Sequence, residues 1–410
     1  MSAGPPEIRV TSEIGRLRSV ICHRPGPELA VVTPENQNTY LFDDLLDLEN
    51  AVYEYNRFEQ LLRRFARVYE VGELLADVLE QEEAREFIRQ QCGDPFLGRR
   101  PETSAQMARL FIEGEESSSG FLAQLVNEAG YTLPPLPNLF FTRDTAAVIG
   151  PSVMISAMKH QVRWTEKVIM RTIFAFHPDF AGADFLYDGT DERRMNVFIE
   201  GGDVHVLRDD LLIVGLSERT SAAGIEVLVR ELFERGDIRD VLVVVMPPHR
   251  TSIHLDMIFT MIDRGLCCVF PPYFVGPTRL PVLHVRHSKE GTREMPNLFA
   301  ALASVGLPLE PIFCGGEKRT MQEREQWGSG CNFFAVAPGQ VLAYERNEHT
   351  MAALERDGGF RIVRGEALLV GDETVEDDER AVITFEGSEL VRGGGGPRCM
   401  TMPVLREGVE

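Results

Sequence analysis

Five short polar segments carry the side chains that could do chemistry in this chain. They are residues 138–144, 200–203, 254–256, 328–330 and 393–399. Each lies at the end or edge of an apolar run typical of a strand, where a side chain can face a ligand from a rigid element. We interpret residues 328–330 as a plain turn and assign them no role.

His254 and Asp256 are separated by one apolar residue, Leu255. On a strand this spacing directs both polar side chains to one face and Leu255 to the other. Histidine is the natural proton shuttle near neutral pH, and an aspartate can hold a cation. The alternative is a structural hydrogen-bonded pair.

Three more acids stand beside flexible or aromatic residues. Glu200 and Asp203 flank two glycines, which permit positive backbone dihedrals and close approach of a ligand. Asp144 ends a run with two phenylalanines, and a carboxylate near an aromatic face is a plausible clamp for a planar cation. The alternatives are an ordinary loop for the first pair and core packing with a surface ion pair for Asp144.

Cys399 follows four glycines, Pro397 and Arg398. This setting predicts a mobile or tightly turned segment, and an adjacent cation would lower the thiol pKa from its usual value of ~8.5. The sequence therefore favours a reactive thiolate over an incidental cysteine in a loose tail. A phosphate-binding loop is not indicated, because no Lys-Ser/Thr pair or helix start follows the glycines.

Composition limits the partners. The 410 residues are 44% hydrophobic and carry a formal charge of -21, which argues against nucleic acid or an anionic membrane and favours a small cationic substrate. Neither a signal segment nor a run near ~20 apolar residues occurs, so we expect a cytoplasmic protein. Seven cysteines without a CxxC spacing indicate neither a disulfide framework nor a structural zinc site.

The elements that must position these side chains repeat along the chain. Residues 203–246 predict a strand, a second strand, a helix and a third strand, and similar units begin near residues 139 and 332. Repetition at this spacing is typical of an array or propeller. Residues 73–129 instead show helical periodicity around a polar loop at 113–120, which predicts an inserted helical subdomain.

Taken in order, these segments resemble the arginine deiminase family, with further matching residues at 12–15, 23–26, 33–36, 41–44 and 398–403. The resemblance implies an α/β fold: a pseudo-fivefold α/β propeller of strand-strand-helix-strand units. It implies a single catalytic domain over 1–410 with a helical insertion at 73–130. It also implies hydrolysis of L-arginine to L-citrulline and ammonia, with no metal and no organic cofactor.

The resemblance gives catalytic roles to five residues, Cys399, His254, Asp144, Asp256 and Glu200. By this resemblance the thiolate of Cys399 would attack the guanidinium carbon while Asp144 and Asp256 would hold the nitrogens. His254 would protonate the leaving ammonia and then activate the water that hydrolyses the thiouronium intermediate. Glu200 would orient His254 and contact the guanidinium.

The substrate-binding positions implied by the resemblance are Asn138, Phe141, Arg163, Arg219, Leu41 and Asp203. Asn138, Arg163 and Arg219 would grip the α-carboxylate, and Phe141 would flank the substrate. Asp203 would be a supporting carboxylate. For the two arginines, the alternative is a surface position at a helix start.

Two departures from the family pattern leave substrate closure, rate and substrate identity open. Tyr55 and Asn56 stand where many relatives have His and Asp, and Gly394 stands where some carry an arginine thought to gate the site. An amidinotransferase or a methylarginine hydrolase would use the same catalytic residues, although the pairing of Asp144 with Asp256 favours unsubstituted arginine. A catalytically silent arginine-binding protein and a cysteine protease are weaker alternatives. A homo-oligomer is compatible with the sequence.

Overall fold

The computed structural model describes residues 8–92, 103–116, 131–180, 182–192, 194–287 and 291–409. These residues form a mixed α/β structure with six sheets, and no sheet among them closes into a barrel. Parts of the predicted insertion at 73–130 and of its polar loop at 113–120 lie outside the described residues. Nowhere in the described ranges does a helix have the length and apolar character needed to cross a membrane.

Most strands are short. They are β1 Leu17–Cys22, β2 Arg67–Glu70, β3 Glu115–Glu116, β4 Tyr131–Leu133, β5 Ala146–Ile149, β6 Ser152–Ile155, β7 Asp184–Asp188, β8 Val204–Arg208, β9 Leu211–Leu216, β10 Asp240–Val245, β11 Phe259–Asp263, β12 Leu266–Val269, β13 Val282–Arg286, β14 Thr292–Met295, β15 Glu310–Phe313, β16 Phe334–Ala337, β17 Gln340–Tyr344, β18 Arg361–Arg364, β19 Ala381–Phe385 and β20 Met402–Arg406.

The α-helices lie between the strands. They are α1 Leu48–Phe65, α2 Val71–Val78, α3 Glu82–Cys92, α4 Ser104–Glu113, α5 Thr142–Thr145, α6 Trp164–Phe176, α7 Ala222–Arg235, α8 Pro271–Phe274, α9 Leu298–Ser304, α10 Arg319–Trp327, α11 Glu348–Gly358 and α12 Gly365–Val370.

Five sheets share one pairing pattern. In each, a strand pairs antiparallel with a central strand, and the central strand pairs in parallel on its other side, as in β8-β9-β10. The other four are β5-β6-β7, β11-β12-β15, β16-β17-β19 and β20-β1-β2. The central strand β9 is buried over nearly its whole length, as expected for a strand covered on both faces. The unit predicted for residues 203–246 has these elements in the predicted order.

The fifth sheet joins the two ends of the described chain. β20 pairs antiparallel with β1, with Val20 opposite Pro403, and β1 pairs in parallel with β2. This pairing fixes the chain that immediately precedes β20, which includes Cys399.

The helices α2, α3 and α4 occupy the region predicted as a helical insertion. Leu75 of α2 and Phe111 of α4 are buried in the same apolar cluster as Ile173 of α6 and Val153 of β6. These helices therefore share an apolar core with the neighbouring sheet. Within the predicted polar loop, Glu115–Glu116 forms the short strand β3 and pairs with β4, which the sequence did not indicate.

Candidate active site

Cys399 lies in the interior of the molecule, between the glycine run and two acids. Its Sγ is 3.6 Å from Asp256 Oδ2. The preceding loop is tightly packed, because a Cβ at Gly395 would lie 2.5 Å from Phe141 Cε1 and 3.0 Å from Cys399 Cβ. Of the two settings predicted for Cys399, the structure has the tightly turned one. Gly394, at φ 90°, supplies the turn.

His254 and Glu200 form a buried pair. His254 Nε2 lies 2.9 Å from Glu200 Oε2, and its Nδ1 lies 3.6 Å from Asp144 Oδ1. The prediction that His254 and Asp256 share a strand face was wrong, because His254 precedes the 3-10 turn Leu255–Met257. A strand alternation and an extended residue entering a turn give the same spacing in sequence, so the pattern could not separate them.

In each of the buried carboxylates Asp144 and Asp256, one oxygen forms the hydrogen bonds. Asp144 Oδ1 lies 3.6 Å from His254 Nδ1, which is an ion-pair contact beyond hydrogen-bond distance. Asp144 Oδ2 accepts from Arg163 Nη1 at 2.5 Å, and Asp256 Oδ2 accepts from Arg398 Nη1 at 3.0 Å. Within the described residues, Oδ1 of each acid has no hydrogen-bond partner. A buried carboxylate oxygen without a donor is costly, so both oxygens are ready to receive donors from a bound cation.

The short segments around these acids depart from the predicted geometry. Asp144 lies in the helical turn α5 rather than at a strand end. Gly201 and Gly202 lie in a 3-10 turn and do not use the positive φ that glycine permits. They are needed for close approach instead, since a Cβ at Gly202 would lie 2.7 Å from the His254 ring.

The charges around His254 keep it protonated. Burial lowers the pKa of the imidazole, but Asp144, Glu200 and Asp203 outweigh burial and raise it to about 9. Burial raises the pKa of Glu200, while Arg219 and His254 lower it to about 2. His254 therefore carries a proton and Glu200 a negative charge at neutral pH.

The thiol behaves differently from the expectation drawn from its neighbours. Burial raises the pKa of Cys399 well above its usual range, and the charges of Asp256 and Asp144 raise it further. Arg398 acts in the opposite direction, but its guanidinium is paired with Asp256 and Glu13. The prediction of a lowered thiol pKa was therefore wrong for the site without substrate.

Asp203 holds the backbone next to His254. Its Oδ1 accepts from Leu255 N at 2.8 Å and its Oδ2 from Ser217 Oγ at 2.6 Å. Burial raises the pKa of Asp203 to about 7, against the influence of His254. The carboxylate holds the backbone next to His254, which fits the predicted supporting role.

Arg163 and Arg219 are both buried, so a surface position at a helix start does not describe them. Arg163 is engaged by Asp144, by Glu166 at 2.7 Å and by two backbone carbonyls. Arg219 donates to Glu200 at 3.4 Å and to Glu218 at 2.7 Å. Arg163 therefore bridges Glu166 and Asp144, while Arg219 lines a cavity.

A cavity of about 260 Å³ is lined by Arg219, Leu41, Asp43, Arg250, Trp327 and Gly394, among others. Leu41 has φ 67°, a left-handed conformation that is unusual for a bulky residue. Arg250 and Asp43 form an ion pair across the mouth. Asn138 donates to the carbonyl of Tyr40 at 2.8 Å, so its amide holds the loop that presents Leu41.

One contact of Cys399 and one ion-pair bridge beside it were missed in the sequence. Asn332 Nδ2 lies 3.2 Å from Cys399 Sγ, and Arg398 joins Asp256 to Glu13. Asn332 follows the turn at residues 328–330 that was assigned no role. A single asparagine after a glycine turn carries no local signal, because its partner lies in a distant segment.

Asp144, Glu200 and His254 also have a spacing that suits a metal ion, with one potential ligand atom from each within 4.8 Å of the others. Arg163 and Arg219, however, already bring positive charge to the two acids. A protonated imidazole has no lone pair to offer a metal. The cluster is therefore better suited to an organic cation that donates hydrogen bonds.

Comparison with known proteins gives concordant matches. A family model for arginine deiminase matches residues 102–406. An arginine deiminase from Streptococcus uberis is 34% identical over 437 residues, covering 100% of both chains. Another from Rhodococcus erythropolis is 32% identical over 430 residues, covering 99% of each.

Solved structures with a similar fold include SxtG, an amidinotransferase from Microseira wollei, with a TM-score of 0.53 over 98% of each chain. A DDAH from Pseudomonas aeruginosa in complex with citrulline has a TM-score of 0.52 and covers 95% of this chain and 99% of its own. Both are 14% identical to this chain, so the likeness extends to the fold alone.

Proposed function

Because the chain belongs to the arginine deiminase family, we propose that its buried acids, histidine and thiol carry out the reaction of that family. The chain is a hydrolase that cleaves a guanidino C–N bond of arginine and yields citrulline and ammonia. The roles of individual residues, given next, are our proposal.

The observation that carries this proposal is the pair of unpartnered oxygens on Asp144 and Asp256, among the described residues, beside the thiol. A guanidinium offers several N–H donors in one plane and a positive charge, which matches two buried carboxylates. Held between them, its central carbon would face Cys399. Exclusion of water would strengthen these hydrogen bonds.

The substrate itself would activate the nucleophile. Without substrate, burial and the charges of Asp256 and Asp144 keep Cys399 protonated. A bound guanidinium adds one positive charge between the two carboxylates and offsets part of their effect, so the thiol pKa falls and the thiol proton is lost to solvent as the substrate binds. The thiolate then attacks the guanidinium carbon and forms a C–S bond.

His254 would serve both halves of the reaction. Its proton, held by Glu200 and Asp144, passes to the leaving nitrogen as the C–N bond breaks and ammonia departs. The neutral imidazole then takes a proton from water, whose oxygen attacks the thiouronium carbon. Collapse of this second adduct breaks the C–S bond, the hydroxyl proton is lost to solvent, and citrulline and the thiolate are released.

At the amino acid end of the substrate, we propose that Arg219, which lines the cavity, binds the α-carboxylate. Leu41 and Phe141 would flank the aliphatic part of the substrate. The same role for Arg163 and Asn138 stays a prediction, since in this structure they hold Asp144 and the loop at Leu41.

For the fold we propose a pseudo-fivefold α/β propeller over residues 1–410 in which the five like sheets are the blades. The shared pairing pattern and the junction of β20 with β1 support this arrangement. We also propose that residues 73–130 are an insertion in this single catalytic domain. A cytoplasmic location is part of the proposal and accords with seven cysteines that are all free.

Replacement of the nucleophile tests the proposal directly. Cys399→Ala should abolish citrulline formation from arginine while circular dichroism and the thermal midpoint stay close to wild type. Cys92→Ala, at the end of α3, is the matched control and should keep full activity. Turnover by the Cys399→Ala protein would refute the assignment.

A substrate panel separates the related reactions. We expect citrulline and ammonia from arginine, and much slower turnover of methylated arginine, because a methyl group removes a donor from the carboxylate pair. Transfer of the amidino group to an added amine would instead indicate an amidinotransferase. Arginine binding without any product would indicate a silent receptor.

Metal removal tests the cofactor-free mechanism. Dialysis against EDTA should leave the citrulline rate unchanged, since the proposed roles need only protein groups. A loss of activity that added divalent metal restores would favour metal binding at Asp144, Glu200 and His254.

A further inference from the structure

Asn332 lies against the thiol of Cys399 and is not used in the mechanism above. It is buried on the stretch between α10 and β16, with 1% of its surface exposed. Its amide makes contacts on both sides. Oδ1 accepts from Arg398 N at 2.9 Å and from Cys399 N at 3.1 Å, and Nδ2 lies 3.2 Å from Cys399 Sγ.

The amide is held in one orientation. Since Oδ1 accepts from two backbone N–H groups, the other terminal atom must be the nitrogen, which donates. That nitrogen also donates to the backbone carbonyl of Asp256 at 3.1 Å. Its second hydrogen can therefore point at Cys399 Sγ, which is closer than the other nearby sulfur, Met257 Sδ at 4.0 Å.

The segment carrying Asn332 is rigid. Its backbone N donates to Ser329 O at 3.0 Å, and Ser329 has φ 59°, in the left-handed region. The carbonyl of Cys331 accepts from Thr260 Oγ1 at 2.6 Å. Gly396 approaches so closely that a Cβ there would lie 2.8 Å from Asn332 Oδ1.

We propose that Asn332 is a further catalytic residue, whose amide N–H stabilises the Cys399 thiolate and whose amide oxygen fixes the nucleophile's backbone. The inference rests on the proposed role of Cys399. A donor directed at sulfur favours the charged form of the thiol, which the neighbouring carboxylates disfavour. The same hydrogen bond remains available to the sulfur when the thiolate leaves the intermediate.

Asn332→Asp separates the two roles of the amide. The aspartate keeps an oxygen for the two backbone N–H groups but puts a second acceptor against the sulfur. We expect the apparent pKa of Cys399 to rise by at least about one pH unit and kcat at pH 7 to fall at least tenfold, with little change in KM. The pKa is measured from the pH dependence of iodoacetamide alkylation, with the modified cysteine identified by peptide mass.

Asn347→Asp is the matched control. Asn347 is also buried, and its amide donates to Gly328 O at 2.9 Å in the same region, away from the sulfur. It should leave the alkylation profile unchanged. If Asn332→Asp does not fold, Asn332→Ala gives the same test and should also raise the thiol pKa.

An Asn332→Asp protein with a wild-type thiol pKa and kcat would overturn the proposal. So would equal losses of kcat in the Asn332 and Asn347 variants, because these would indicate a general structural effect. Alkylation reports on the thiol without arginine turnover. If Cys399 is not the nucleophile, Cys399→Ala retains activity whatever the Asn332 variants do, so the two failures are distinguishable.

Discussion

At the scale of single residues, Gly202 lies so close to His254 and Asp144 that it leaves no room for a side chain. A Cβ at this position would lie 2.7 Å from Cγ and Nδ1 of His254 and 3.1 Å from Asp144 Oδ1. Gly202→Ala should therefore displace the imidazole and lower kcat/KM by about a hundredfold, since small misplacements of catalytic groups are costly. Steady-state kinetics with arginine measures the effect.

The control for this change is Gly265→Ala. Gly265 lies in a turn between β11 and β12, and a Cβ there would meet no heavy atom of the described residues within 4 Å. The activity of this variant should match wild type. If Gly202→Ala were as active as Gly265→Ala, the close packing of His254 against the 3-10 turn at Gly202 would be irrelevant to catalysis.

Protonation of His254 should also be visible in stability. Its folded pKa of about 9 lies above the ordinary value of 6.5, so its contribution is fully present below pH 6.5 and is lost as the pH rises through 9. The difference in unfolding free energy between wild type and His254→Gln should thus be largest near pH 6 and narrow by pH 10. Urea denaturation at three pH values measures it, and a constant difference would contradict the raised pKa.

At the scale of elements, Glu54 of α1 holds the start of the loop at residues 389–399, which ends at Cys399. Its carboxylate accepts from Glu389 N and Leu390 N, at distances between 2.9 and 3.0 Å. Hydrogen bonds to a charged group contribute about 1.5–3 kcal/mol each to stability. We expect Glu54→Ala to lower both the free energy of unfolding and kcat, because the glycine run before Cys399 loses its anchor.

Glu49→Ala is the control on the same helix, since Glu49 is exposed. It should change the urea midpoint little. Equal stability losses in the two variants would show that α1, rather than the contact with the loop, is responsible.

Some secondary-structure elements could be predicted from the sequence and others could not. The strand, helix and strand signals of residues 203–246 were sufficient, because apolar periodicity and turn residues are local properties. The short helical turn α5 and the 3-10 turn Leu255–Met257 were not predicted. Turns of three or four residues are set by tertiary contacts, such as the packing of Gly202 against His254, that periodicity cannot report.

At the scale of the whole molecule, the charge of -21 should attract a cationic substrate. Salt screens this attraction, with a Debye length of about 8 Å at physiological ionic strength. We expect KM for arginine to rise roughly two- to threefold between low and high NaCl while kcat stays constant. The inhibition constant of citrulline, which has no net charge, should not change with salt. If it rose as much as KM for arginine, attraction of the substrate by the protein's charge would be excluded.

The general arrangement of the molecule was less predictable than the location of its candidate site. Cys399, His254, Asp144, Asp256 and Glu200 were proposed from the sequence as catalytic residues, and the structure places them close together in the interior. The pairing of β20 with β1 was not foreseen, because no local pattern links segments at opposite ends of the chain. The raised thiol pKa was missed for the same reason, since burial depends on the assembled structure.

The junction of β20 with β1 has a consequence for biosynthesis. A ribosome makes β1 early, and this strand must wait for β20 before its sheet is complete. Cys399 emerges from the ribosome just before β20, so the nucleophile and the strand that secures it arrive together. A nascent chain that has reached Asp256 already holds the acids of the proposed site, yet it lacks the proposed nucleophile until the segment with Cys399 and β20 has been made.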